Sequence, residues 1–457
     1  MRGHSIYEAR RLLPKAIKAP TRSPIRTFGT RKLTPTHDQL LRTIFSGGLL
    51  DEEHVHKFDS AYWYPATVGL VLNDTYKLVA KLGFGSSSTV WLAKDITRWG
   101  WQPTRYAALK ISTSHGADST GTDYFSHEAY ISKQILSKNP SHPGLQFLRT
   151  TIDKFQLRGQ KGLHQVLVYE PMRESGSALL NRLKATGEGM TCEPEFVKTL
   201  VGFVLSGLDY LHNECGVVHR GTYPPFSMKR NLKGLEDLSL SNILIPLESL
   251  SLLTALEKSE SRYPFPKKAL EGGYTIHMSH EDFGPVTLGK VMGPPKIHDF
   301  GSAIELGGKS SPMFVPASHA APEILLGCED SLEADVWGVG MIAWELLEGS
   351  KLLEGNDPEF GIRTKRKHLA DITSLLGPPP RSLLSRGKLS LSFFNSSGKF
   401  KYPNLLTPNR KLKAKFLSKM NRDEQHAFLD FMKGILMWDP KERKSTRELM
   451  GHRWLAQ

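Results

Sequence analysis

The sequence predicts an α+β fold, with a strand-rich N-terminal part followed by a mainly helical C-terminal part. Polar and apolar residues alternate in residues 76–82, as they do in half-buried strands. Apolar residues recur at helical spacing in residues 196–212, and residues 331–349 contain a strongly apolar helical run. A chain of 457 residues is long enough for two lobes or domains, each with its own core.

The composition argues against several classes of protein. Hydrophobic residues make up 39% of the chain and charged residues 23%, proportions typical of a soluble globular protein. No apolar run approaches the ~18 residues of a membrane-spanning helix, so we expect no membrane partner. The cysteines, Cys192, Cys215 and Cys328, include no close pair. This spacing disfavours a disulfide framework or a zinc site and favours the cytoplasm or nucleus.

The net charge of +14 is concentrated in two segments. Residues 1–36 hold nine Lys and Arg residues against one acidic residue, and a second basic cluster lies in residues 410–422. Solvated basic segments explain both better than a nucleic-acid site, so we expect no nucleic-acid partner. Residues 1–58 are assigned to a basic tail outside the fold. A mitochondrial transit peptide, processed near residues 26–28, and a disordered tail explain this composition equally well.

The first chemical motif is a glycine- and serine-rich turn. Residues 83–89 read Gly-Phe-Gly-Ser-Ser-Ser-Thr, in which the glycines let the backbone approach phosphate groups closely. A strand follows the turn, which argues against a dinucleotide-binding site. Lys110 then lies in an apolar strand, residues 106–111, where a lysine is usually an edge residue. Glu128 lies on a helical pattern and could pair with Lys110, although an ordinary surface glutamate is the alternative.

A polar loop further along the chain is interrupted. Val-Val-His-Arg at residues 217–220 and Asp-Leu-Ser-Leu-Ser-Asn-Ile-Leu-Ile at residues 237–245 flank residues 221–236, which we call the loop insert. By themselves, Asp237 and Asn242 would more often be turn formers than catalytic groups.

Three further motifs surround this loop. Residues 165–170 read as a buried strand that stops at a proline. Asp299 follows a short strand and precedes Phe-Gly, an arrangement that suits a magnesium ligand on a segment that can reorient. Residues 321–323 read Ala-Pro-Glu. We expect Glu323 to form an ion pair with Arg443 that is structural and not catalytic.

Taken in order, these motifs resemble those of eukaryotic protein kinases, over roughly residues 70–457. Without the loop insert the order His-Arg-Asp-Leu-Ser-Leu-Ser-Asn is similar to the kinase catalytic loop. Within the superfamily the chain resembles the serine/arginine-rich-protein kinases, especially their fungal-type relatives, in residues 83–92, 162–164 and 241–244. Residues 375–379 are similar to the wider group that includes cyclin-dependent and mitogen-activated kinases.

The resemblance implies a bilobal protein-kinase fold, with a β-rich N-lobe and hinge in residues 59–172 and a mainly helical C-lobe in residues 173–457. It implies a Ser/Thr protein kinase that transfers the ATP γ-phosphoryl group to protein Ser or Thr, possible substrates including SR-type proteins. Asp237 would deprotonate the acceptor hydroxyl, while Asn242 and Asp299 would hold Mg²⁺.

The resemblance also implies where ATP binds. Lys110 would anchor the α- and β-phosphates as a second catalytic residue, and Glu128 would orient it. The backbone groups of Glu170 and Met172 in the hinge would contact adenine, and Tyr169 would narrow the adenine pocket behind the hinge. The implied ATP-binding residues are Leu82, Gly83, Phe84, Gly85, Ser86, Ser88, Val90, Ala108, Lys110, Glu128, Glu170 and Met172.

Departures from the family pattern support an alternative, a pseudokinase that binds nucleotide or acts as a scaffold. The loop insert separates His219 from Asp237 in sequence. Because closing a loop costs little chain entropy, the two residues could still lie side by side. An unspliced intron in the gene model would also explain the insert. Ser239 and Ala320 replace a lysine and an arginine common in relatives. The basic residues in 361–422 oppose an arginine-rich substrate on that face. A small-molecule kinase is disfavoured because the Ala-Pro-Glu segment builds a peptide shelf.

Overall fold

The computed structural model describes residues 48–55, 57–114, 124–185, 192–220, 238–280, 283–284, 292–307, 319–408, 412 and 420–456. These residues form a lobe built on an antiparallel sheet and a second, mainly helical lobe. The predicted bilobal α+β architecture is confirmed. No helix in this part of the chain is long and apolar enough to cross a bilayer.

The N-lobe is built on a six-stranded antiparallel sheet. In chain order the strands are β1 Val71–Leu72, β2 Tyr76–Phe84, β3 Ser88–Asp95, β4 Tyr106–Ser112, β5 Asp153–Gly159 and β6 Gly162–Tyr169. Their spatial order is β1-β2-β3-β4-β6-β5. The strands expected in residues 76–82, 106–111 and 165–170 are therefore confirmed. A helix, α1 Tyr124–Ser137, also belongs to this lobe.

The pairing of β4 with β6 separates the two faces of this sheet. Lys110 lies opposite Leu167, and Ala108 lies opposite Tyr169. Since directly paired residues share a face, and side chains alternate along a strand, all four point to one side. The intervening residues pack into an apolar core on the other side, formed by Trp91, Leu109, Ile111, Val166 and Val168 with their neighbours. The strand period thus places Lys110 on the face opposite that core.

The C-lobe is mainly helical. Its helices are α2 Gly176–Ala185, α3 Pro194–Asp209, α4 Ser251–Arg262, α5 Pro322–Leu326, α6 Glu333–Glu348, α7 Lys365–Leu376, α8 Arg381–Arg386, α9 Ser390–Phe393, α10 Arg422–Ile435, α11 Thr446–Met450 and α12 Arg453–Ala456. Helix α6 is buried along nearly its whole length and includes Trp337, which is fully inaccessible. The predicted amphipathic helix in residues 196–212 corresponds to α3, which continues into a π-helical turn, Tyr210–Cys215.

Short antiparallel ladders connect the segments that follow α3. The strands are β7 Val217–Val218, β8 Ile243–Leu244, β9 Lys267–Ala269, β10 Thr275–His277, β11 Lys296–Ile297, β12 Ile304–Glu305, β13 Asn356–Asp357 and β14 Ile362–Arg363. The pairs are β7 with β12, β8 with β11, β9 with β10, and β13 with β14. The first two pairs align the interrupted loop with the Asp-Phe-Gly segment.

Part of the segment that sequence analysis assigned to the tail packs on the N-lobe. The Lys81 ammonium, whose side chain is fully buried, lies 2.8 Å from Asp51 and 2.7 Å from Glu52. It also donates to the His277 carbonyl at 2.8 Å. An apolar cluster of Leu50, Trp63, Tyr274 and Ile276 accompanies these contacts. Pairing offsets the cost of burying the Lys81 charge, so residues 48–55 are held by the fold.

Residues 246–295, which we call the spacer, reach both the sheet and the hinge. Leu253 and Leu256 of α4 pack in a cluster with apolar side chains of β2, β3 and β4. Just before α4, Glu248 accepts two 2.7 Å hydrogen bonds from Arg173, whose side chain is fully buried. The spacer therefore joins the Lys110 face of the sheet to the segment that follows β6.

The predicted pair of Glu323 and Arg443 is confirmed. Both side chains are fully buried, and the guanidinium donates to the two carboxylate oxygens at 2.7 and 2.6 Å. The guanidinium also lies 5.1 Å from the Trp337 ring centroid. This bidentate geometry fixes the start of α5 against the lower core.

We predict that Arg443→Met destabilises the protein by about 3–5 kcal/mol, because it leaves the buried Glu323 carboxylate unpaired. The control is Arg453→Met, which removes an arginine paired with Asp430 where both side chains are half exposed. That variant should cost less than about 1 kcal/mol. Urea unfolding measures both values, and similar losses would contradict a structural role for the buried pair.

Candidate active site

Lys110 lies at the centre of the predicted site. Its Nζ donates to Glu128 Oε2 at 2.8 Å and to Asp299 Oδ1 at 3.0 Å. Strand β4 supplies the lysine, α1 supplies the glutamate, and the turn after β11 supplies the aspartate. The structure therefore brings together three residues that were predicted from separate motifs, and the pairing of Lys110 with Glu128 is confirmed.

The charges in this cluster stabilise one another. Burial alone would lower the pKa of Lys110, but the carboxylates of Asp299 and Glu128 outweigh it and raise the pKa above its ordinary value. Burial would likewise raise the pKa of Asp299, yet Lys110 holds it below its ordinary value. Burial lowers the pKa of the neighbouring His298 to about 3, so this imidazole is neutral. The site therefore places the Lys110 ammonium against the carboxylates of Asp299 and Glu128.

The glycine turn joins β2 to β3 as predicted. The Gly85 N–H donates to the Ser88 carbonyl at 2.8 Å, which closes the turn. A side chain at Gly83 would meet no protein atom within 4 Å, and one at Gly85 would make only an ordinary contact with Ser88. The fold itself does not require glycine at these positions. Room for a ligand close to the backbone therefore accounts for them better.

The other predicted ATP-binding residues line the same side of the sheet or the hinge. Leu82 packs on the cluster that contains Ala108, and Val90 lies opposite Lys110 in the sheet. Phe84 and Ser86 are partly exposed at the turn. Their roles in nucleotide binding stay predictions.

The hinge follows β6 directly. Met172 is buried, whereas the partly exposed Glu170 side chain pairs with Lys296. The Glu170 carbonyl accepts two hydrogen bonds from Arg149, at 2.7 and 3.2 Å. Sequence analysis did not single out Arg149. The only local sign of its role is that it follows two apolar residues, Phe147 and Leu148.

Both flanks of the loop insert rest on one turn of α6. The backbone N–H groups of His219 and Arg220 donate to the Asp335 carboxylate at 2.8 and 3.2 Å. On the other side of the insert, the Leu238 carbonyl would lie 2.7 Å from a Cβ built on Gly338. Positions three residues apart are neighbours on one helix face. The chain thus leaves and rejoins the loop beside the same helical turn, while Asp237 lies outside the described residues.

The two predicted metal ligands lie beside the β8–β11 ladder. Asn242 precedes β8, and its carbonyl accepts from the His298 N–H at 3.0 Å. Asp299 comes next, with φ at 68°, a left-handed conformation unusual for aspartate. The His219 ring supports this turn, because its Nε2 bonds the His298 carbonyl at 2.9 Å and its edge contacts Phe300. This arrangement offers oxygen donors suited to a hard cation.

Ser239 has a structural role in the loop. Its side chain is fully buried, and its Oγ accepts from the Ser241 N–H at 3.2 Å. Its own N–H donates to Asn242 Oδ1 at 3.3 Å. Ser239 therefore helps to orient Asn242 and does not supply the charge of the lysine that the family pattern predicts at this position. Ala320, the other departure, is fully buried.

Comparisons with known proteins find protein kinases. The protein kinase domain family matches residues 285–455. A serine/threonine protein kinase of Aspergillus fumigatus is 29% identical over 408 residues, which cover 89% of this chain and 91% of the relative. The serine/threonine-protein kinase SRPK of Physarum polycephalum is 27% identical over 421 residues, covering 90% and 93%.

More distant similarities extend these results. SRSF protein kinase 3 of Homo sapiens is 23% identical over 540 residues, covering 91% of this chain and 92% of the relative. A solved kinase domain, 20% identical, aligns with a TM-score of 0.59 over 87% of this chain and 100% of that chain. At this identity the structural match supports the fold alone.

We predict that Gly338→Ala lowers the turnover number at least about tenfold, because the new methyl group would displace Leu238 and the loop beside it. Gly340→Ala is the control, since its Cβ would clash at 2.8 Å with Ile435 in the core. ATP-dependent phosphate transfer per folded molecule, with thermal unfolding as a check, measures both variants. Equal turnover numbers would contradict the role of α6 in positioning the loop.

Proposed function

We propose that this chain is a serine/threonine protein kinase that uses Mg²⁺-ATP to phosphorylate arginine/serine-rich proteins. The observation that supports this most strongly is the position of the Lys110 ammonium between Glu128 and Asp299. A lysine held in this way can bind phosphate oxygens while one of its carboxylate neighbours faces a cation.

Asp299 and Asn242 are the residues that would hold Mg²⁺. A carboxylate and an amide oxygen are hard donors, and the backbone bond between Asn242 and His298 keeps both segments at one end of the ladder. When bound, Mg²⁺ would neutralise charge on the phosphate oxygens. Lys110 would hold the α- and β-phosphates, and Glu128 would fix its direction.

Asp237 is the proposed general base. It directly precedes Leu238, whose close approach to Gly338 of α6 fixes that flank of the loop. Its carboxylate would accept the proton of the substrate hydroxyl as the γ-phosphoryl group is transferred. Because Ser239 is buried and uncharged, one phosphate contact common in relatives is missing. By analogy with the loss of one transition-state donor, we expect transfer roughly 10²–10³-fold slower than with that lysine.

The proposed substrate class rests on the relatives named SRPK and SRSF protein kinase. The basic residues in 361–422 argued against an arginine-rich substrate, but some of these charges are neutralised locally. Arg366 pairs with Asp357 and Glu359, and Lys367 pairs with Asp371. These ion pairs reduce the positive field that an arginine-rich peptide would meet on α7.

We predict that Asp237→Asn lowers transfer of radiolabelled phosphate from ATP to protein by at least about a thousandfold, because no base remains for the hydroxyl proton. ATP binding by this variant should be unchanged, which provides the control for folding. Equal transfer by the wild type and Asp237→Asn would instead support the pseudokinase interpretation. A variant without residues 221–236 shows in the same assay whether the loop insert slows transfer.

We predict that a peptide of alternating Arg and Ser is phosphorylated with a kcat/KM at least about tenfold above that of a peptide with citrulline in place of arginine. Citrulline keeps the shape of the side chain and removes its charge. Steady-state kinetics with both peptides measures the ratio. A ratio near one, or below one, would refute the proposed substrate class and leave the kinase activity itself in place.

A further inference from the structure

The hinge and the Lys110 site are connected through a buried tyrosine. The Tyr169 hydroxyl donates to Glu128 Oε1 at 2.5 Å, while Lys110 donates to the other oxygen, Oε2, at 2.8 Å. Tyr169 and Glu128 are only 4% and 3% exposed. Each oxygen of this buried carboxylate therefore has its own donor, one from the end of β6 and one from β4.

A buried arginine fixes the tyrosine ring. The Arg149 guanidinium lies 4.7 Å from the centroid of the Tyr169 ring and donates twice to the Glu170 carbonyl. Burial lowers the pKa of this guanidinium. Its stacking and its two hydrogen bonds hold the ring between the hinge and α1.

We propose that Tyr169 is a positioning residue for phosphate binding, which acts by holding Glu128 in the orientation that aims Lys110 at the nucleotide. A carboxylate with a single donor can rotate about its side-chain torsions, whereas the second donor fixes its plane. The hydroxyl comes from the hinge strand and not from α1. The orientation of Glu128 therefore depends on the hinge as well as on the position of its own helix. This inference rests on the proposed function, because it concerns the lysine that would bind the ATP phosphates.

The test compares the affinities of Mg²⁺-ATP and adenosine by calorimetry. Adenosine lacks phosphates, so it reports on the hinge and not on Lys110. In Tyr169→Phe, which keeps the ring, we expect ATP affinity to fall about tenfold and adenosine affinity to stay within about twofold. In a Glu128→Ala background the same substitution should cause no further loss, because the group through which it acts is gone.

The matched control is Tyr106→Phe. Tyr106 lies in β4, and its hydroxyl donates to Glu257 at 2.5 Å, so this variant removes the same kind of bond from the same sheet without touching Glu128. Both affinities should be unchanged. The proposal is overturned if Tyr169→Phe binds ATP as the wild type does, if ATP and adenosine affinities fall together, or if the loss persists without Glu128.

The phosphate-transfer assay separates this inference from the proposed function. Wild-type protein that binds ATP but transfers no phosphate would refute the proposed function, and the comparison of affinities would still decide the role of Tyr169. Wild-type protein that binds adenosine but gains no affinity from the phosphates would overturn the inference.

Discussion

The ammonium group of Lys110 connects the two lobes of this protein. Its partners come from different lobes: Glu128 lies on α1 in the N-lobe, and Asp299 lies in the turn after β11 in the C-lobe. An unpaired charge in this partly buried position would cost several kcal/mol, so the lysine stabilises the arrangement only while both carboxylates stay near. The charges that pair with one another here are those that we propose a triphosphate and its cation engage.

Two segments, the spacer and residues 48–55, reinforce this geometry. The spacer packs α4 against the sheet and ties Glu248 to Arg173 beside the hinge. The N-terminal segment buries carboxylates against Lys81, two residues before the first glycine of the turn. Since each contact joins residues far apart in sequence, residues 79–81 of β2 are fixed by segments outside the sheet. The positions of the turn and of β4 therefore do not depend on the sheet alone.

How far the sequence predicts this structure depends on the range of each interaction. Strand alternation identified β2, an apolar run identified β4, and motif order paired Lys110 with Glu128, because these signals are local or belong to a known pattern. Arg149 could not be assigned a partner, since no periodicity indicates that its guanidinium reaches the Glu170 carbonyl. The packing of residues 48–55 was missed for a similar reason. Their partners Lys81 and Tyr274 are brought together only by the folded sheet and spacer.

Long-range contacts with α6 can keep the interrupted loop in place despite an insert that looks disruptive in the sequence. Lengthening a flexible loop costs only about 0.6 kcal/mol for each doubling of its length. Against this, the N–H groups of His219 and Arg220 both bond the buried Asp335 carboxylate, and hydrogen bonds to charged groups contribute about 1.5–3 kcal/mol each. On the other flank Leu238 is held close to α6 because Gly338 has no side chain. The anchors outweigh the added entropy, so the loop insert can extend the chain between these flanks while both stay on the same helix.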